Sequence, residues 1–144
     1  MCSFTEIDVT DIKICHKMFC DFKKRLTYYL QKNQLPEFKY LGVIEFQDEN
    51  RQGAVHYHLV CNLIEIPLDT LQELWQNGWV YRSIVKSDVL ENEKIVHYLN
   101  KGITDKRLRG KKSIFTQKVL NSPLLSLLRT QRNFTTLLRS LSRR

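Results

Sequence analysis

The sequence predicts one α+β domain, a central and mainly antiparallel sheet of about five strands with helices covering one face. Three observations carry that prediction. Apolar residues recur at three- and four-residue spacing between Asp11 and Leu30. Two runs of alternating character, "KYLGVIEFQ" and "AVHYHLVCN", follow on either side of a polar, glycine-containing connection, "DENRQG". The composition is globular, with 42% hydrophobic and 26% charged residues in 144, enough for one core, and no apolar stretch approaches the roughly 20 residues of a membrane helix.

The first element is an amphipathic helix from about Asp11 to Leu30. Thr10 is its expected N-cap, and Cys15, Met18, Phe19, Phe22, Leu26, Tyr29 and Leu30 form its apolar stripe. "QKNQLPEF" breaks it, and the two alternating runs then form a hairpin. After Pro67, "LDTLQELWQNG" predicts a short helix with Leu68, Leu71, Leu74 and Trp75 inward and Asn77-Gly78 as its stop. "WVYRSIV" predicts a third strand. "SDVLENEKIVHYLNKG" has a cap in Ser87 or Asp88, Glu91 three residues after Asp88, and Gly102 as terminator, so a second strong helix is expected there. Ser122-Pro123 then opens a stretch with Leu127, Phe134, Leu138 and Leu141 among arginines, the pattern of a basic amphipathic helix. Residues 1–120 form the expected domain, with 121–144 packed on it or extending it.

Period-two alternation sorts the hairpin's faces. Ile44 and Phe46 share one face with Val55, Tyr57, Leu59 and Cys61, while Val43, Glu45 and Gln47 share the other with His56 and His58. Two imidazoles and a carboxylate on one face suit a divalent cation that keeps open positions for substrate. The alternative is that both histidines are ordinary half-exposed strand residues. Tyr98 lies off the apolar side of its predicted helix, with Lys94 four residues before it and Lys101 three after. Cations on both sides favour phenolate and phosphate alike, so Tyr98 is either a nucleophile or a surface ring covering lysine stems.

Charge is unevenly spread. The net charge is +8, yet the first hundred residues carry 11 Lys/Arg against 14 Asp/Glu and the last 44 carry 12 against 1. Such a block points to a polyanion, with a solvated tail or a membrane-surface helix as alternatives. "MCSFTEID" lacks the order of a signal peptide, and Cys2, Cys15, Cys20 and Cys61 form no CxxC pair, so a cytosolic protein with reduced thiols is expected.

"YLGVIEFQ", "GAVHYHLV" and "VHYLNKGI" stand in the order and approximate spacing of the three motifs of HUH endonucleases. With "LWQNGWVYRS" and "YLNKGITDKRLRGKKSIFT", residues 11 to 120 or so resemble the single-tyrosine initiators of rolling-circle replication in bacterial plasmids and phages. The resemblance implies a ferredoxin-like or RRM-like nuclease sheet in which Glu45, His56 and His58 bind Mg²⁺ or Mn²⁺, with Gln47 as fallback ligand. It implies that Tyr98 attacks a phosphodiester of single-stranded DNA at an origin, a hairpin being one form of it, leaving a 5′-phosphotyrosine and a free 3′-hydroxyl. Lys101 would accompany that tyrosine, and Lys94, Lys106, Arg107, Arg109, Lys111 and Lys112 would hold the DNA backbone. The implied setting is the cytoplasm of a bacterial host, with host helicase and polymerase as partners and no membrane. No second tyrosine follows Tyr98 closely, and an N-terminal strand of the family pattern has only "CSFTEI" to draw on. "RGKKS" is not a P-loop, because the first glycine of that motif would fall on Asp105. A conjugative mobilisation nuclease, a transposase of the same motif class and a non-catalytic nucleic-acid-binding module are the competing readings.

Overall fold

The structure, a computed structural model, describes residues 8–48, 52–83, 97, 105–110, 114–116 and 136–138. Helix α1 spans Ile12–Lys32. Its N-cap is Asp11 and not Thr10: the Asp11 carboxylate accepts from Lys13 N at 2.7 Å, while Thr10 donates N–H and hydroxyl to Asp8. A carboxylate at that position also faces the positive end of the helix, which explains the preference. The helix runs two residues past Leu30. Leu35 N then bonds back to Leu30 O at 2.9 Å and Gln34 N to Gln31 O at 3.2 Å, with Gln34 left-handed at φ 54°. This double closure satisfies the last carbonyls and folds Leu35 back toward the core before Pro36.

Strands β1 (Tyr40–Gln47) and β2 (Ala54–Cys61) pair antiparallel over their full lengths, from Tyr40 opposite Cys61 to Gln47 opposite Ala54. Helix α2 (Leu68–Trp75) and the short strand β3 (Val80–Tyr81) follow. The backbone of β4 (Ile114–Thr116) pairs with β1, and that of β5 (Thr136–Leu138) lies between β2 and β3, so the order is β3-β5-β2-β1-β4. A sheet of about five regular strands is not what the described residues show; two long strands carry it, flanked by pairings of two or three residues. Thr136–Leu138 also corrects the expected C-terminal helix at these positions. Threonine is β-branched, and extended backbone here meets open hydrogen-bonding edges on both neighbours.

The core lies between α1 and one face of the hairpin. Cys15, Phe19, Phe22, Leu26 and Leu30 from the helix meet Tyr40, Ile44, Phe46, Val55, Tyr57, Leu59 and Cys61 from the strands. Phe19 stacks on Tyr57 with centroids 5.0 Å apart and planes 11° apart, and Phe22 packs edge-on against Trp75 at 5.4 Å. In α2, Leu71 and Trp75 are fully buried, but Leu68 is exposed, because the helix begins at that residue with its first turn turned to solvent. Arg25 of α1 donates from Nε to Leu74 O at 2.8 Å and from Nη2 to Trp75 O at 3.1 Å. One cation thereby satisfies two carbonyls at the negative end of α2 and ties the helices together. Helix α2 stops at Gln76, which is left-handed at φ 62°, one residue before the expected Asn-Gly stop.

Cys15, Cys20 and Cys61 are free thiols. Among the described residues no helix is long and apolar enough to cross a membrane. Phe22→Ala is expected to lower unfolding free energy by about 3–5 kcal/mol in urea titrations, as a buried aromatic leaving a cavity does. Ile14→Ala, on the exposed side of the same helix, should change it by under ~0.5 kcal/mol.

Candidate metal centre

The face of the hairpin turned away from α1 carries the three predicted ligands. Glu45 stands directly opposite His56, and Val43 opposite His58. Residues paired in this way project to the same side, so one acidic and two imidazole side chains converge. Their ligand atoms all lie within 4.8 Å of one another. His58 Nε2 and Glu45 Oε2 are 2.6 Å apart, and the two imidazole centroids are separated by 4.9 Å. The histidines are not half-exposed strand residues: His56 is 1% exposed and His58 7%.

The donor set fits a divalent cation. Three donors each about 2.1 Å from one ion are roughly 3–4 Å apart, close to the spacing found. Burial would weigh against two imidazoles and a carboxylate unless they shared charge and hydrogen bonds, and a cation supplies both. Gln47 shares the same face, and its Oε1 is buried with no hydrogen-bond partner among the described residues, which keeps it as a fourth oxygen donor.

The residue between the two histidines does different work. Tyr57 points to the helix side, where its ring lies on Phe19, and burial drives its phenol far above the usual range. It cannot serve as a phenolate. Cys15 is equally inert, its thiol pushed up to about 11, first by burial and then by Asp11 and Asp8. Tyr98, Lys101, Lys94, Lys111 and Lys112 lie outside the described residues; of the helix predicted around Tyr98 only His97 is described, helical and exposed.

Three of the predicted DNA-contacting cations are described, and they divide. Lys106 and Arg109 are exposed. Arg107, in the 3₁₀ turn Lys106–Leu108, is instead clamped. It holds Asp48 through two bonds of 2.7 and 2.8 Å and Asp105 through bonds of 3.0 and 2.6 Å, and its guanidinium lies 4.0 Å above the Phe46 ring. This corrects its expected role as a free phosphate contact. Two carboxylates already occupy its planar fork. Asp105 is two residues away in sequence, but Asp48 is 59 positions distant, and only the fold brings it near. The clamp ties the segment after the predicted nucleophile helix to the end of β1, just beyond Gln47.

A groove of about 1120 Å³ opens elsewhere, beside α1, lined by Lys23, Lys24, Tyr28, Glu37, Phe38 and Tyr40 among others and by none of the three ligands. The buried ligand cluster on an antiparallel sheet, backed by a helix, defines the chemistry of a protein that handles a phosphate-bearing or otherwise anionic substrate. The match of residues 4–107 to the model of the replication-associated protein ORF2 family identifies which: the chain belongs to that family, and its role lies in DNA replication. No curated protein and no solved structure matches the chain.

Two measurements follow from this geometry. Calorimetric titration with Mn²⁺ should give saturable binding to the wild-type protein and none to the His56→Ala/His58→Ala pair; equal heats from both would remove these ligands. The Asp48 and Asp105 carboxyls are held below the usual range chiefly by hydrogen bonds from Arg107. Depressed values in the folded state mean stabilisation that is present above about pH 4, the unfolded value, and lost as pH falls through the folded ones. Asp48→Asn should therefore flatten the fall in melting temperature between neutral and strongly acidic pH, and superimposable profiles would show that the clamp contributes nothing.

Proposed function

We propose that the protein nicks and rejoins single-stranded DNA at a replication origin through a covalent 5′-phosphotyrosine, with Tyr98 as nucleophile. The observation that carries the reading is the buried convergence of Glu45, His56 and His58 in a member of a replication-associated family. The phenolic oxygen of Tyr98 would attack the scissile phosphorus; the bond from phosphorus to the 3′-oxygen breaks, and that oxygen leaves as a 3′-hydroxyl able to prime synthesis. Polarisation of the scissile phosphate is the chemistry that Mg²⁺ or Mn²⁺ supplies when bound by such ligands. Lys101 would bear on the transferring phosphate, whose charge rises as the nucleophile closes in.

Binding of the strand falls to exposed cations, Lys106 and Arg109 among them, and to Lys94, Lys111 and Lys112 by the same sequence argument. Arg107 would act through placement, holding the segment that follows the nucleophile helix against β1. Host helicase and polymerase would open and copy the duplex. Membership of a replication family favours an origin of replication over the transfer origin of a mobilisation nuclease.

Incubation with origin-derived single-stranded oligonucleotide and Mn²⁺ should give a slower-migrating adduct that survives denaturation. Tyr98→Phe should abolish it, and peptide mapping of the wild-type adduct should place the nucleotide on Tyr98. An adduct of the same mobility in the variant would reject that nucleophile.

A further inference from the structure

Two large aromatic side chains stand in solvent at the far edge of the sheet. Trp79 is 64% exposed and Tyr81 55%, while Val80 between them is 8% exposed and belongs to the core. Alternation therefore turns both rings away from α1. The pairing says where they point. Tyr81 is opposite Leu137 on β5, Leu137 is opposite His58 on β2, and His58 is opposite Val43 on β1. This row shares one face, so Tyr81 stands on the face of the candidate metal centre, level with His58 and two strand spacings, about 10 Å, from it.

The backbone beneath is held. Val80 N donates to Gln72 Oε1 at 2.8 Å, and Arg82 Nη1 donates to Ile66 O at 2.5 Å and Ile64 O at 3.3 Å. Rings on an anchored strand lose little freedom when something is laid on them.

We infer that Trp79 and Tyr81 form a stacking platform for unpaired bases of a DNA strand crossing the sheet past His58, an inference that rests on the nicking function proposed above. Every base has a flat apolar face, so aromatic side chains grip single strands without reading sequence. A strand whose phosphate lies at the metal ligands must run its neighbouring nucleotides over the adjoining surface, and these rings flank that surface on one side. Duplex DNA, with its bases already stacked, could not use them, so the platform also selects for melted DNA.

The test measures fluorescence anisotropy at fixed salt without divalent cation, using labelled oligothymidylate and an abasic strand of equal length. Wild type should prefer the base-bearing strand. Trp79→Ala/Tyr81→Ala should bind oligothymidylate about tenfold more weakly and the abasic strand unchanged, whereas Trp79→Phe/Tyr81→Phe, which keeps both rings, should stay within about threefold of wild type. Should the alanine pair fail to fold, each single alanine substitution carries the same test at about threefold. Equal losses on both strands, or no loss on either, would overturn the inference. So would sedimentation showing that the alanine pair splits a dimer while DNA affinity persists, since a second copy of the chain would then cover the rings. The wild-type adduct assay is read separately. An adduct without base preference sinks the platform alone, and base preference without an adduct sinks the nicking function alone.

Discussion

The register of the β1–β2 hairpin is the constraint on which the rest depends. Glu45 faces His56, and Ile44 faces Tyr57, only because Gln47 is matched to Ala54. A slip of one residue would send the acidic side chain into the helix-facing core and the apolar ones toward the histidines. Here that slip is penalised twice, since both faces are buried: Val43 and His56 on one, Ile44 and Tyr57 on the other. The two ends of the hairpin pin the match as well. At the turn, Gly53 takes φ +81° and returns its N–H to Gln47 O at 2.9 Å. At the open end, the Asn62 side chain accepts from Lys39 N and donates to Glu37 O, both at 2.8 Å.

What the sequence reveals and what it hides follow from the range of the forces involved. Faces of strands and stripes of helices are set by spacing along the chain, so α1, the hairpin and the three ligands can be assigned from residue order alone. Residue order puts the N-cap one position early because Thr10 and Asp11 are both good caps, and the choice rests on Asp8 taking up Thr10. The exposure of Leu68 is hidden because a first helical turn has no neighbours in the pattern to say which way it leans. Thr136–Leu138 reads as helix by spacing and is extended by pairing, a contest that short segments lose to their neighbours.

Arg107 shows the limit of counting charge. The C-terminal 44 residues hold 12 basic residues against one acidic residue, which argues for a polyanionic partner. Yet one of those cations is saturated within the protein, by the lone acidic residue of that stretch and by another from the first half. The polyanion-facing surface is thus smaller than composition implies, and it is positioned by a contact that composition cannot see.

Tyr57 gives the paired histidines their stiffness. On an open strand, neighbouring imidazoles could swing independently; here the intervening ring is riveted to Phe19, 5.0 Å away and nearly parallel. The ligands therefore inherit their aim from a helix that never touches the ion's place. Positions 19 and 57 are yoked in descent: a lineage that remodels the helix retunes its metal chemistry at the same stroke, and the two traits cannot drift apart.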